Sequence, residues 1–293
     1  MNKTRLHQAA FDLAVAYRVY PEISKEPFIF QDDKLKLMEI CLKSFKKSLA
    51  SLRVKMFVLL DSCPEEYEDL FRKYFLDRDL EFLKFDKAGN ANTFIKQIEI
   101  LCEQTDSDVI YFAEDDYLYI PHQFHCMIDF LKNKKGVDFV SPYDHPDYYN
   151  IDLHRRPYYI DVFSNLHWRT ACSTCLTFLT RKSTLIKTRD IFTTYSKGNY
   201  DSSLWISLTK CNIFNFFKVL KSLFFDLPIF KIYIKAWLYC WRQILFGKKW
   251  QLWVPIPSLA THMEKRYLAP VVDWSNIVPG YAMRSSGVRS IHE

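Results

Sequence analysis

Three consecutive carboxylates, Glu114-Asp115-Asp116, follow directly on the apolar run Val109–Ala113 (VIYFA). Acids at the end of a buried segment are costly unless something positive sits beside them. A divalent cation is the simplest candidate. Mg2+ and Mn2+ take hard oxygen ligands, commonly one or two carboxylates completed by substrate phosphates. A solvated acidic turn that caps the following helix would use the same residues without a metal. Two further acids stand at segment ends: Asp61 after Val54–Leu60 (VKMFVLL), and Asp201 at the start of an apolar helical stretch. His262 closes the run Pro257-Ser258-Leu259-Ala260-Thr261-His262, and imidazole is an acceptable Mn2+ ligand.

The scarcity of glycine narrows the chemistry. The 293 residues include only six glycines, none spaced as G-x-G-x-x-G or G-x-x-x-x-G-K. A dinucleotide-binding loop and a P-loop are therefore excluded. A bound nucleotide would have to be held by side chains and a metal. Of the eight cysteines, only Cys172 and Cys175 form a C-x-x-C pair, and no second pair follows at zinc spacing. The expectation is free thiols in a reducing cytosol. The start of the chain carries no apolar run of the signal-peptide kind, so the active part is expected to face the cytoplasm.

The elements that must position these residues alternate. Strands are expected at Leu13–Tyr20, Val54–Leu60, Leu80–Phe85, Val109–Ala113, Val137–Val140 and Cys175–Thr180. Helices are expected at 32–52, 64–75, 92–104, 121–133 and 181–195, with another beginning at Asp201. Repeated β-α units predict an α/β fold, a mainly parallel sheet flanked by helices. Ligands in such sheets sit at the carboxyl ends of the strands. Residues 141–180 and 251–293 read as less regular.

With IYFAEDDYLY at 110–119, Asp61 after its strand, and Gly89-Asn90-Ala91-Asn92 opening a helix, the sequence resembles the GT-A glycosyltransferases. These enzymes transfer sugars from nucleotide-sugar donors on a single α/β domain. The resemblance covers roughly residues 12–210 and 255–275, and is nearest to bacterial polysaccharide and O-antigen enzymes. It implies that Tyr17, Arg18, Tyr20, Asp61, Asn92, Glu114 and Asp115 line the nucleotide-sugar. It implies Asp116 and His262 as ligands of Mn2+ or Mg2+, with Arg155, Arg156 and Lys265 at the diphosphate. Asp201 would be the general base of an inverting transfer. Tyr143, His145 and Trp168, from an aromatic-rich segment, would form a platform for the acceptor sugar. The triplet is E-D-D where the family has D-x-D, and the first strand lacks the family's usual ending, Tyr20-Pro21 being an approximate match.

Residues 211–250 differ in kind. They are aromatic and apolar, and the window 210–250 holds eight basic residues against one acid, Asp226. That window carries +7 of the chain's net +6, leaving −1 elsewhere. The expected organisation is a catalytic domain at 1–210, amphipathic basic helices at 211–250, and a segment at 251–293 that returns to the active site. Lys and Arg among Trp, Tyr and Phe suit helices lying on an anionic membrane surface better than a span. The expected partners are a nucleotide-diphosphate sugar, a glycan or lipid-linked acceptor, and the inner face of the cell membrane. Nucleic acid is not expected, because the charge sits on apolar helices instead of lining a groove. Two other readings fit parts of the pattern. A metal-dependent nucleotidyltransferase would use the acids but lacks its glycine-rich loop. A non-catalytic carbohydrate- or membrane-binding module would use the aromatics and basic helices but leaves the acids unexplained.

Overall fold

The structure is a computed structural model describing residues 10–23 and 26–282. The outermost parts of the 1–210 and 251–293 segments, residues 1–9 and 283–293, lie outside the described residues.

Strands β1 (Leu13–Val19), β2 (Val54–Asp61), β3 (Leu80–Phe85) and β4 (Val109–Glu114) form a parallel block in the order β3-β2-β1-β4. Helices α1 (Lys34–Leu49), α2 (Glu66–Tyr74) and α3 (Gly89–Glu103) make the crossovers. β5 (Tyr117–Tyr119) and α4 (Phe124–Asn133) follow. The sheet continues through β6 (Phe139–Val140), β7 (Ile160–Phe163), β8 (Leu166–Ala171), β9 (Phe178–Arg181) and β10 (Leu252–Ile256), in the full order β3-β2-β1-β4-β9-β6-β10-β8-β7. Among the described residues only β8 and β9 run against the other seven strands. β11 (Ala260–His262) leaves the sheet and pairs antiparallel with β5.

Alternation along β1 shows how the layers are held. Leu13, Val15, Tyr17 and Val19 enter one apolar cluster, with α1, α2 and α4. Ala14 and Ala16 enter the other, beneath α3, α6 (Lys182–Phe192) and α7 (Asp201–Thr209). This is the period-two signature of a strand buried on both faces. α5 (Asp147–Asn150) is a single turn. A third cluster lies under α8 (Phe216–Phe225) and α9 (Leu227–Phe246), where Ile229, Tyr233, Ala236 and Ile244 pack on Leu153, Ile206 and Ile213. Short helices α10 (Trp274–Ile277) and α11 (Pro279–Ala282) close the described chain.

Three expectations need correction. The segment from 251 is not irregular at its start, because β10 threads between β6 and β8 as an interior strand of the sheet. The aromatic region after 141 contains the β7–β8 hairpin. The cysteines are not all free, because Cys172 is bonded to Cys211, joining the end of β8 to the approach to α8. Their Cα atoms lie 5.4 Å apart, inside the range a disulfide spans. Cys175, the other half of the C-x-x-C pair, is a free thiol.

Candidate active site

The carboxyl ends of β1, β2 and β4 bring the singled-out acids to one edge of the parallel block, and the triplet divides there into three roles. Arg18 and Glu114 are register partners across β1 and β4. The Arg18 guanidinium donates to Glu114 Oε1 at 2.5 Å and to the Asn90 backbone carbonyl at 2.9 Å. The Thr177 hydroxyl donates to the other Glu114 oxygen at 2.7 Å. Glu114 is thereby held from both sides.

Asp115 points into the protein. Lys34 of α1 donates to its Oδ1 at 2.8 Å, and the Tyr20 backbone N–H to its Oδ2 at 2.9 Å. Burial alone would depress the Lys34 ammonium, but Asp115 and Asp116 outweigh it and hold it above its ordinary value. Burial and the Asp116 charge push the Asp115 carboxyl up. An ion pair this enclosed is a structural fastening between α1 and the strand ends, and with the Tyr20 N–H it leaves neither Asp115 oxygen unpartnered.

Asp116 is the member left for a ligand. β11 pairs with β5 so that His262 lies opposite Tyr117, and His262 Nε2 comes 3.2 Å from Asp116 Oδ2. The second oxygen, Oδ1, is buried with no hydrogen-bond partner. Burial would raise this carboxyl, yet His262, followed by Lys34 and Arg18, holds it well below the usual range. The carboxylate in turn lifts the imidazole above its ordinary value against the effect of burial. An orphaned carboxylate oxygen beside an imidazole nitrogen is a donor set that fits Mn2+ or Mg2+. A cation there would take the place of the imidazole proton. Among the described residues no third His, Cys, Asp or Glu completes a metal cluster, so the remaining positions would fall to water or substrate oxygens.

Asp201 opens α7, its Oδ1 accepting the Ser202 N–H at 2.6 Å. Burial, then the Glu114 and Asp147 charges, push its carboxyl above the ordinary value. The free Cys175 thiol is raised by burial and by three surrounding carboxylates, Asp201, Glu114 and Asp116. Asp201 borders a cleft of about 640 Å³ whose walls also include His145, Asp147, Thr174 and Cys175 together with α8 and α9; the Asp116–His262 pair is not in its lining but is connected to it through Tyr267, whose ring lies 6.0 Å from that of His262 and 5.4 Å from that of His145. That volume suits a small-molecule site.

The other expected residues divide. Asp61 is 2% exposed and spends both oxygens on the N–H groups of Ala88 and Gly89, at 2.9 and 2.7 Å. It fastens the N-terminus of α3, which enters through Gly89 at φ +78°, a conformation glycine adopts without strain. Tyr17 is wholly buried between Phe45 and Phe71. Tyr20 is exposed beside Asp115. Asn92 is exposed and bonded to the Ala88 carbonyl, whereas Asn90 meets Arg18 and the Tyr195 hydroxyl.

The aromatic platform is a correction. Trp168 is fully buried, stacked on Phe130 at 4.2 Å. Tyr143 is also buried, its hydroxyl donating to the Tyr267 carbonyl. Tyr148, Tyr149 and Tyr158 are gathered round the buried Arg169–Asp144 pair. Of the three proposed platform residues only His145 borders the cleft, its ring 5.4 Å from that of Tyr267. Among the basic residues Arg155 borders the cleft, but Arg156 faces a separate small hollow with Trp250, and Lys265 is exposed. The sequence reading missed Lys34, Asn90, Thr177 and Cys175. Asn90 lay inside the motif already singled out and Cys175 inside the C-x-x-C pair; Lys34 and Thr177 carry no local signal, since each is recognisable only by what it meets.

No protein-family model matches the chain, and no curated protein matches its sequence. Solved structures do resemble it. A mannosyltransferase from Pyrobaculum calidifontis, in complex with GDP-Man and Mn2+, is 14% identical, covering 69% of this chain and 52% of its own, with a TM-score of 0.39. The glycosyltransferase GlyE of Streptococcus pneumoniae TIGR4 is 12% identical over 92% of this chain and 63% of its own, with a TM-score of 0.39. A cytidylyltransferase from Leptospira borgpetersenii is 12% identical over 62% and 64%, with a TM-score of 0.34. The chain therefore spans about half the length of the mannosyltransferase and under two thirds of the other two. At such TM-scores the likeness says nothing about what the site binds.

Proposed function

We propose that the chain is a divalent-metal-dependent glycosyltransferase, moving a sugar from a nucleoside-diphosphate donor to a glycan or lipid-linked acceptor with inversion. The observation that carries this reading is the meeting of Asp116 and His262 at 3.2 Å, with Asp116 Oδ1 left unpartnered.

Asp116 and His262 would hold the cation, which, when bound, stabilises negative charge gathering on the departing diphosphate. The rest is the work of the chain's own groups. Arg18, anchored on the Asn90 carbonyl, and Thr177 hold Glu114 at the end of β4, beside Asp116. Asp201 takes the proton of the acceptor hydroxyl as its oxygen bonds to the anomeric carbon. The bond from that carbon to the diphosphate oxygen breaks, and its electron pair leaves with the nucleoside diphosphate. A carboxylate made more basic by burial and by neighbouring acids suits that task. His145 accepts the Asp147 N–H at its Nδ1 and presents the other ring nitrogen for an acceptor hydroxyl.

Contact with a membrane surface belongs to the same proposal. No helix among the described residues is long and apolar enough to cross a bilayer. α8 and α9 nevertheless leave Phe216, Phe217, Phe224, Phe225, Leu238 and Phe246 exposed alongside their lysines, a surface suited to an anionic membrane face.

The test is thermal-shift binding of UDP, GDP, CMP and dTDP with and without Mn2+, repeated in Asp116→Ala. A Mn2+-dependent shift with at least one nucleotide, lost in the variant, is the expected result. No metal-dependent shift with any of them would overturn the reading.

A further inference from the structure

The cleft holds a cationic group that the transfer chemistry above does not use. Arg155, at the end of the turn after α5, lies 3.3 Å from Asp152. Lys221 of α8 approaches the same carboxylate at 3.3 Å, and Lys218, one turn earlier, donates to the backbone carbonyls of Asp152 and Arg155. Three cations thus gather around one carboxylate, which pairs with Arg155 and Lys221 and leaves Lys218 on backbone carbonyls. Lys218 is depressed below its ordinary value by burial, Asp152 notwithstanding, with Arg155 and Lys221 adding to the effect. The group is electrostatically unfinished, and all three side chains border the cleft.

The remaining acids of the cleft do not complete it. Asp226 caps α9 through the Ile229 N–H at 3.1 Å, Asp147 lies beside His145, and Asp201 accepts the Ser202 N–H. No ion pair joins any of these to the three cations among the described residues. Arg155, expected at the diphosphate, is thus grouped with Lys218 and Lys221 of α8.

Hydrocarbon surface runs directly beside this group. Phe225, Pro228, Ile229 and Ile232 line the same cleft. Phe225 is 81% exposed and Phe217, next to Lys218, is 88% exposed. Cations at the rim of a cleft, an apolar wall leading outward and a base at the inner end describe a ligand with three parts in that order.

We propose that Arg155, Lys218 and Lys221 bind the phosphate of a lipid-linked acceptor, with the hydrocarbon along α8 and the hydroxyl-bearing end directed to Asp201. This rests on the transferase reading and selects, from glycan and lipid-linked acceptors, the phosphate-bearing lipid. A phosphate ester supplies the two negative charges that the cluster lacks, and the exposed phenylalanines supply the surface for its chain.

The experiment measures binding to the intact chain of decyl phosphate, below its micelle concentration, against inorganic phosphate, decanol and dihexanoyl phosphatidylglycerol. Decyl phosphate should bind at least tenfold more tightly than each of the others. Lys218→Gln/Lys221→Gln should weaken it at least tenfold while leaving the melting temperature and Mn2+-dependent nucleotide binding unchanged. Equal affinity for inorganic phosphate or decanol, or an unchanged affinity in the double variant, would overturn the proposal. Equal affinity for the phosphatidylglycerol would make this a headgroup site and overturn the acceptor assignment. Nucleotide binding, read separately, distinguishes failure here from failure of the transferase reading: absence of Mn2+-dependent nucleotide binding overturns the latter, and with it the acceptor role, while decyl phosphate binding and its loss in the double variant still read the site itself.

Discussion

Asp115→Asn separates the two adjacent aspartates that the sequence presents as one motif. In the folded protein Asp115 and Lys34 are 9% and 7% exposed at their side chains and 2.8 Å apart. The substitution leaves the Tyr20 N–H an acceptor, because an amide oxygen replaces the carboxylate oxygen. It leaves the Lys34 ammonium buried without its main counter-charge. Losing one partner of a buried ion pair typically costs about 3–5 kcal/mol. An independent ceiling comes from neutralising the lysine: deprotonating an amine of ordinary pKa about 10.4 at pH 7 costs about 4.6 kcal/mol. The expected loss is therefore about 3–4.6 kcal/mol. With a slope of about 3 kcal/mol per molar urea, this lowers the midpoint by about 1–1.5 M. Adding Lys34→Met removes the stranded charge and should return stability to within about 2 kcal/mol of the parent, a non-additivity that a double-mutant cycle reads directly. Urea unfolding followed by tryptophan fluorescence supplies all four corners. Mn2+-dependent nucleotide binding, measured in parallel under native conditions, should survive Asp115→Asn and be lost in Asp116→Ala. A loss below about 1 kcal/mol in Asp115→Asn, or no recovery in the double variant, would refute the division of roles within the triplet.

Asp201→Asn should lower sugar transfer by about 10²–10⁴-fold while donor binding by calorimetry stays within twofold; equal rates would remove Asp201 from the chemistry. Trp168→Ala should cost about 3–5 kcal/mol in urea unfolding without altering acceptor preference, and a changed preference would restore it to the acceptor site. Stability should also fall as pH drops below about 6.5. Burial holds His145 down to about 3, with His154 and His262 adding to it, and holds His154 down to about 4, with Arg169 adding to it. The unfolded chain, with imidazoles titrating near 6.5, then binds more protons than the native one in that window, worth about 2 kcal/mol per histidine at pH 5. His154→Asn should remove about half of that loss between pH 7 and pH 5 in unfolding titrations; an unchanged pH slope would refute the argument.

Much of the fold was legible because its first half is built from local signals. Apolar runs bounded by turn residues mark β1 to β4, and helical spacing marks α1, α2 and α3, to within a few residues. The later strands carry weaker signals. β10 is five residues long and contains Pro255, and its partners, β6 and β8, lie more than 80 residues earlier in the chain. Its place depends on non-local pairing that no window of sequence contains. The aromatic segment misled for a related reason. A tyrosine or tryptophan has the same composition whether it faces a sugar or surrounds a buried arginine, and only the position of Arg169 decides.

By itself the sequence determined the class of chemistry: acids at the end of a buried strand, a basic apolar segment set apart from a nearly neutral remainder, and no glycine-rich cradle for phosphates. Those are properties of residue type and order. The division of labour among the acids was decided by tertiary structure alone. Glu114 is clamped because Arg18 stands opposite it in β1, Asp115 is silenced because α1 carries Lys34 to it, and Asp116 is left open because β11 brings His262 back across some 146 residues. A carboxylate's role follows from which charges surround it and how much water remains, and folding sets both.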